Sequence, residues 1–157
     1  MRAKKYWLMA LAGLAIAVVT GLALWYRGSD SDPFVGNPSA RLAVGKAVYD
    51  AHCAACHGAD LAGQPNWRER LANGRLPAPP HDATGHTWHH DDDMLFTLTK
   101  QGPGPFAPPG YQSDMPAYSG TLSDGEIRAV LAYIKSTWPP EIQARQSAIT
   151  AQARKGR

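Results

Sequence analysis

The sequence predicts an all-α chain. Apolar residues recur at helical spacing in several windows, and no window alternates as a half-buried strand would. The 15 glycines and 13 prolines fall mostly between His57 and Gly120, where they break helix and central strand alike and mark loops. At 157 residues there is room for one domain and an appendage, and no internal repeat is evident.

The first element runs uncharged from Tyr6 to Tyr26, "YWLMALAGLAIAVVTGLALWY". As a helix it spans about 31 Å, enough for a hydrocarbon core. Tyr6 and Trp7 at one end and Trp25 and Tyr26 at the other fit the two aromatic belts. Arg2, Lys4 and Lys5 precede it, which orients the amino end toward the cytoplasm. Residues 1–27 are therefore expected to form one transmembrane anchor. Gly21-Leu22-Ala23 keeps open the alternative of a cleaved signal peptide.

Residues 28–38 read as a polar linker. From about Ser39 a helix is expected, with Leu42, Gly45, Tyr49 and Cys53 on one face. It ends in the glycine- and proline-marked stretch from Gly58 to Pro80. Asp91, Asp92 and Asp93 stand where a helix amino end favours acids, and Met94, Leu95 and Leu98 give a short helix closing near Gly102. "GPGPFAPPGYQSDMP" (102–116) is loop. Ser123-Asp124-Gly125-Glu126 is a capping box opening a helix with the stripe Ile127, Val130, Leu131, Ile134 and Trp138, stopped by Pro139-Pro140. The basic tail, 139–157, is expected to continue as an exposed helix, because Ile142 and Ile149 are too few for a core.

Charge is unevenly spread. Residues 1–27 carry four Lys/Arg and no acid, residues 28–138 eight against twelve acids, and the tail four against one. The domain is mildly acidic, so the basic pI gives no reason to expect nucleic acid as a partner.

Both cysteines lie in Cys53-Ala54-Ala55-Cys56-His57. C-x-x-C-H is the attachment sequence of c-type haem. Each thiol adds across one vinyl group, and the following imidazole supplies the iron with a neutral nitrogen donor. A zinc site needs two further ligands at similar spacing. A dithiol redox motif has no use for His57 and usually lies near a βαβ pattern, absent here. Cys53, Cys56 and His57 are thus expected to hold one covalent haem c.

Around this motif, Gly45-x-x-x-Tyr49-x-x-x-Cys53-x-x-Cys56-His57 and "DMPAYSGTLSDGEIRAVLAYIKSTWP" resemble the class I cytochrome c family of bacteria, over about residues 39–138. The resemblance implies a fold in which the first and last helices of the domain cross near Gly45 around the haem. It also implies electron transfer as the activity, with no bond chemistry by the protein itself. It assigns Met115, in Asp114-Met115-Pro116, as the iron's distal ligand opposite His57, and a thioether suits reduced iron. The competing reading of Met115 is a core side chain filling a gap. Met94 lies at apolar helical spacing and reads as packing.

In the family a proline carbonyl holds the other nitrogen of the ligating histidine. "LPAPPH" offers Pro77, Pro79 and Pro80, of which Pro80 is favoured. Trp88 and Tyr118, each an apolar body with a polar handle, suit hydrogen bonds to a haem propionate or plain core packing equally. Arg75 suits a propionate or solvent. His81, His86, His89 and His90 followed by three aspartates suit either a metal-binding tract or a decorated loop leading into a capped helix.

The expectation is a membrane-tethered electron carrier in the periplasm, anchored in the inner membrane by a single pass, with a donor and an acceptor protein as partners. The alternative is a dedicated haem subunit of a periplasmic dehydrogenase or terminal oxidase complex. Gas sensing and haem catalysis need an open iron position, against which Met115 argues.

Overall fold

The computed structural model describes residues 37–157. The anchor and nearly all of the linker lie outside the described residues. Among those described there is no strand, and no helix is long and apolar enough to cross a membrane.

Helix α1 spans Pro38–His52 and opens with proline in its first turn, where a missing N–H is harmless. The Asn37 side chain accepts the Ala40 N–H at 3.1 Å. A short helix α2, Ala54–His57, follows after Cys53. A long loop then leads through one 3₁₀ turn, Thr87–His89, into α3, Asp92–Gln101. Asp91 caps α3, accepting the N–H groups of Asp93 and Met94. A proline-rich loop with a second 3₁₀ turn, Gly104–Phe106, leads to α4, Asp124–Ser136. The expected capping box is there: Ser123 and Glu126 satisfy each other's backbone N–H.

The core lies where α1 crosses α4. Val48, Tyr49, Leu61, Leu122, Ile127, Val130, Ile134 and Trp138 form its buried cluster. At Gly45 the two backbones meet: a Cβ there would collide with the Ala129 carbonyl and lie 2.9 Å from the Tyr133 Cβ. The expected face of α1 needs one correction. Leu42 is 36 % exposed, because the buried stripe runs through Val44, Gly45, Val48 and Tyr49 instead.

The tail is a helix, α5, spanning Pro140–Lys155, but it does not stand free. Gln146, 0 % exposed, and Thr150, 5 % exposed, face the start of α3. Gln146 Nε2 donates to Asp92 Oδ1 (2.7 Å) and to the His90 carbonyl (3.2 Å), and Thr150 Oγ1 accepts the Asp92 N–H (3.1 Å). Lys135 of α4 reaches the same carboxylate at 2.7 Å, and Arg157 pairs with Asp91 and Asp93. Burial alone would raise the Asp92 carboxyl, but the bonds from Lys135 and Gln146 bring it below its usual range. Polar side chains at i and i+4 thus work beside Ile142, which packs against the core.

Candidate haem-binding site

Helical backbone continues from α1 through Cys53 into α2: the Cys53 N–H donates to Tyr49 O, and His57 N–H to Cys53 O, both at 2.9 Å. Three- and four-residue spacing on that backbone puts Cys53, Cys56 and His57 on neighbouring positions of one face. The hydroxyl of Tyr49, itself fully buried, donates to the Gly58 carbonyl at 2.9 Å and ties down the end of α2.

Cys53 is half-buried, Cys56 is exposed, and both are free thiols. Burial, with Cys56 beside it, pushes the Cys53 thiol up to about 11, so it is protonated at neutral pH. The His57 ring is buried, and its Nδ1 donates to the Pro79 carbonyl at 2.8 Å. Because a carbonyl only accepts, the proton sits on Nδ1 and the lone pair on Nε2. Burial lowers the His57 pKa, opposed by the Pro79 bond. The donor set therefore fits haem c: two free thiols on one face and a neutral imidazole with a single lone pair.

Pro79, not the expected Pro80, holds the histidine. Both prolines are locked at φ, and successive carbonyls in such extended backbone point in different directions. The selection comes from the strand-like pairing of the loop with itself. Gly63 N–H donates to His57 O (2.8 Å), Gln64 N–H to Ala78 O (2.9 Å), and the Gln64 side chain accepts the Ala78 N–H. Gly63 has φ +71°, and a Cβ there would come within 2.6 Å of the Pro79 carbonyl carbon. This approach presents Pro79 to the ring, while the Pro80 carbonyl faces Thr87 Oγ1 at 3.5 Å.

The polar handles of Trp88 and Tyr118 are both taken by backbone. Trp88 Nε1 donates to Ala83 O (3.3 Å), and its ring stacks on His89 at 3.7 Å. Tyr118 OH donates to His52 O at 2.7 Å. Tyr118 still borders the attachment turn: burial first, then the nearby Cys53 and Cys56, raise its pKa. Arg75 lies at the surface, as the solvent reading expects, and there forms an exposed ion pair with Asp114, joining the loop that ends in Pro79 to the loop that carries Met115. Met115 is half-buried, and its N–H donates to Ser113 Oγ at 3.1 Å. The two loops also line a cavity of about 360 Å³ between Arg70–Gly74 and Pro108–Gln112. Met94 lies half-buried on α3.

The four histidines of the loop do not converge. His86 stacks on Trp67 (5.5 Å between centroids), with His90 edge-on to it, and His89 lies on Trp88. Among the described residues no group of three or more His, Cys, Asp or Glu is placed to hold a metal. His81 is separate: its ring stacks on that of His57, centroids 3.9 Å apart and planes 22° apart. Burial pushes its pKa down to about 3, so the ring is neutral. The sequence groups His81 with the other loop histidines, and the fold separates it by bringing it to the face of the His57 ring.

Comparison with known proteins agrees with this geometry. The family model for cytochrome c matches residues 42–138. The chain is 33% identical over 93 residues to the cbb3-type cytochrome c oxidase subunit CcoP of Azospirillum brasilense, covering 57% of this chain but only 26% of that protein. It is 32% identical over 95 residues to cytochrome c6 of Leptolyngbya boryana, covering 60% of this chain and 91% of that protein. It is 34% identical over 67 residues to cytochrome c-555 of Prosthecochloris aestuarii, covering 39% and 68%. No solved structure matches the chain significantly. With two free thiols, an imidazole poised by a proline carbonyl and a family match across the whole helical crossing, the chain belongs to the cytochrome c family, as a class I c-type cytochrome carrying covalent haem c.

Proposed function

We propose that this protein is a membrane-tethered electron carrier, held in the inner membrane by residues 1–27 with its haem domain in the periplasm. Cys53 and Cys56 would hold haem c by thioether bonds, and His57 and Met115 would supply the iron's two protein ligands. Bound there, haem c supplies a one-electron couple; the protein makes and breaks no substrate bonds. The observation that carries the reading is the 2.8 Å bond from His57 Nδ1 to Pro79, which orients the imidazole and leaves Nε2 for the iron. The Arg75–Asp114 pair supports Met115 as its counterpart by tying the methionine loop to the proline loop.

The test is ligand access. Haem should survive acid-acetone extraction, and the reduced protein at neutral pH should resist carbon monoxide for minutes. Met115→Ala should bind carbon monoxide quickly and have a lower reduction potential, while Met94→Leu should do neither. Ready binding of carbon monoxide by the unaltered protein would remove Met115 from the iron. Fusing residues 28–157 to a cleavable export signal should release a soluble, haem-loaded protein. If that fusion stays in the membrane, residues 1–27 are not the tether.

The likeness to CcoP, which is named as an oxidase subunit, favours a second reading as the fixed haem subunit of a larger complex. Co-purification of stoichiometric partners from membranes in mild detergent would select it over the free carrier.

A further inference from the structure

A hydrogen bond to Nδ1 fixes where the His57 ring points but leaves its plane loosely set, since such bonds tolerate some 30° of misalignment. One face of that ring is covered by the His81 imidazole, at 3.9 Å between centroids and 22° between planes. Two flat rings in contact cannot tilt independently, because any rotation drives an edge of one into the face of the other. A blocking ring is useful only if it is itself immobile, and His81 is held on every side. Its backbone N–H donates to Leu61 O at 2.8 Å, and its carbonyl accepts from Trp138 Nε1 at 2.7 Å. Its Nδ1 lies 2.9 Å from Thr87 Oγ1, and Tyr49 packs edge-on at 6.2 Å.

We propose that His81 is a positioning residue: its imidazole, stacked on that of His57, fixes the ligand-plane orientation that the Pro79 hydrogen bond leaves free. The proposal rests on His57 as an axial ligand, as given under the proposed function. The orientation of that plane decides how the imidazole overlaps the iron orbitals, and so shapes both the electronic asymmetry of the oxidised haem and the ease of its reduction.

The experiment uses the full-length, haem-loaded protein. In its oxidised form the paramagnetically shifted haem methyl resonances report the axial-ligand planes, and the oxidised-to-reduced ratio at a fixed poise reports the couple. His81→Leu is expected to reorder the methyl shifts and to change the ratio by up to about tenfold, the full size of an aromatic contact being the ceiling because only the part that differs between oxidation states moves the couple. His81→Phe keeps a flat face and is expected to keep the original methyl order. Thr87→Val frees the edge of the His81 ring and is expected to move the shifts the same way by less; it decides the matter if His81→Leu fails to mature. An unchanged methyl pattern in His81→Leu, or in Thr87→Val where Leu gives no protein, overturns the proposal. So does a Phe variant displaced as far as Leu. A different result, no histidine on the iron of the unaltered protein, would instead strike the ligand assignment beneath it.

Discussion

Two helix junctions in this protein are built from opposite materials. Where α1 crosses α4, Ile127 and Tyr49 are wholly buried among apolar neighbours and the backbones touch at Gly45. Where α5 meets α3, the wholly buried residue is Gln146, surrounded by Asp92, Thr150 and the His90 carbonyl. The first junction gains from removing apolar surface from water and is indifferent to the detail of polar geometry. The second buries less apolar surface, chiefly Ile142 against the core, and leans on hydrogen bonds, each worth little net but costly to leave unmade. Both hold a helix in place, yet they should fail under different insults.

The largest effect is expected at the crossing. Gly45→Ala forces the helices apart and should cost about 1–3 kcal/mol. At about 4–8 °C per kcal/mol for a domain of this size, calorimetry should show it clearly. Gly104→Ala, which adds its methyl to open space, is the control and should leave the Tm nearly unchanged. Equal shifts in the two variants would mean that close approach at Gly45 is not what sets the crossing.

Next is the polar junction. Gln146→Leu fits the space but strands the His90 carbonyl and leaves the Asp92 carboxylate with Lys135 alone. The cost should be about 1–2 kcal/mol. Hydrogen exchange should quicken along Pro140–Lys155 and stay unchanged in α1 and α4. Uniform quickening in all three helices would make the two junctions one cooperative unit.

The smallest effect is expected from acid. Asp92 is depressed below its usual 3.8 in the folded protein, so its contribution to stability is full above that value. It is lost as pH falls through the folded value, because the unfolded chain then binds the extra proton first. The carboxylate is partly exposed, which weakens the effect further. Protection of α5 should therefore fade below about pH 4, and Asp92→Asn should remove that pH dependence while α1 and α4 hold. A pH dependence unchanged in Asp92→Asn would assign the transition to another carboxylate.

The same contrast explains what the sequence made legible. The stripe Ile127, Val130, Ile134 and Trp138 was readable because apolar burial follows the helical period. The attachment turn was readable because three reactive residue types at fixed spacing have few other uses. The role of Gln146 and Thr150 was hidden, since polar residues on a helix look the same whether they face solvent or a buried carboxylate. Pro79 was confused with Pro80 because the choice depends on a register set by Gly63 and Ala78, fifteen residues apart. His81 looked like its neighbours in a histidine-rich loop, and only the fold carries it to the back of His57.

The largely polar seat of α5 should make that helix easier to release than one held by an apolar stripe. Removing residues 139–157 would uncover the Asp92 carboxylate and the Lys135 ammonium, which water serves well, together with the patch of core that Ile142 covers. The family match stops at Trp138, at the edge of this seat. The last helix is thus an addition beyond the matched family domain, seated partly on polar groups that water could serve in its place.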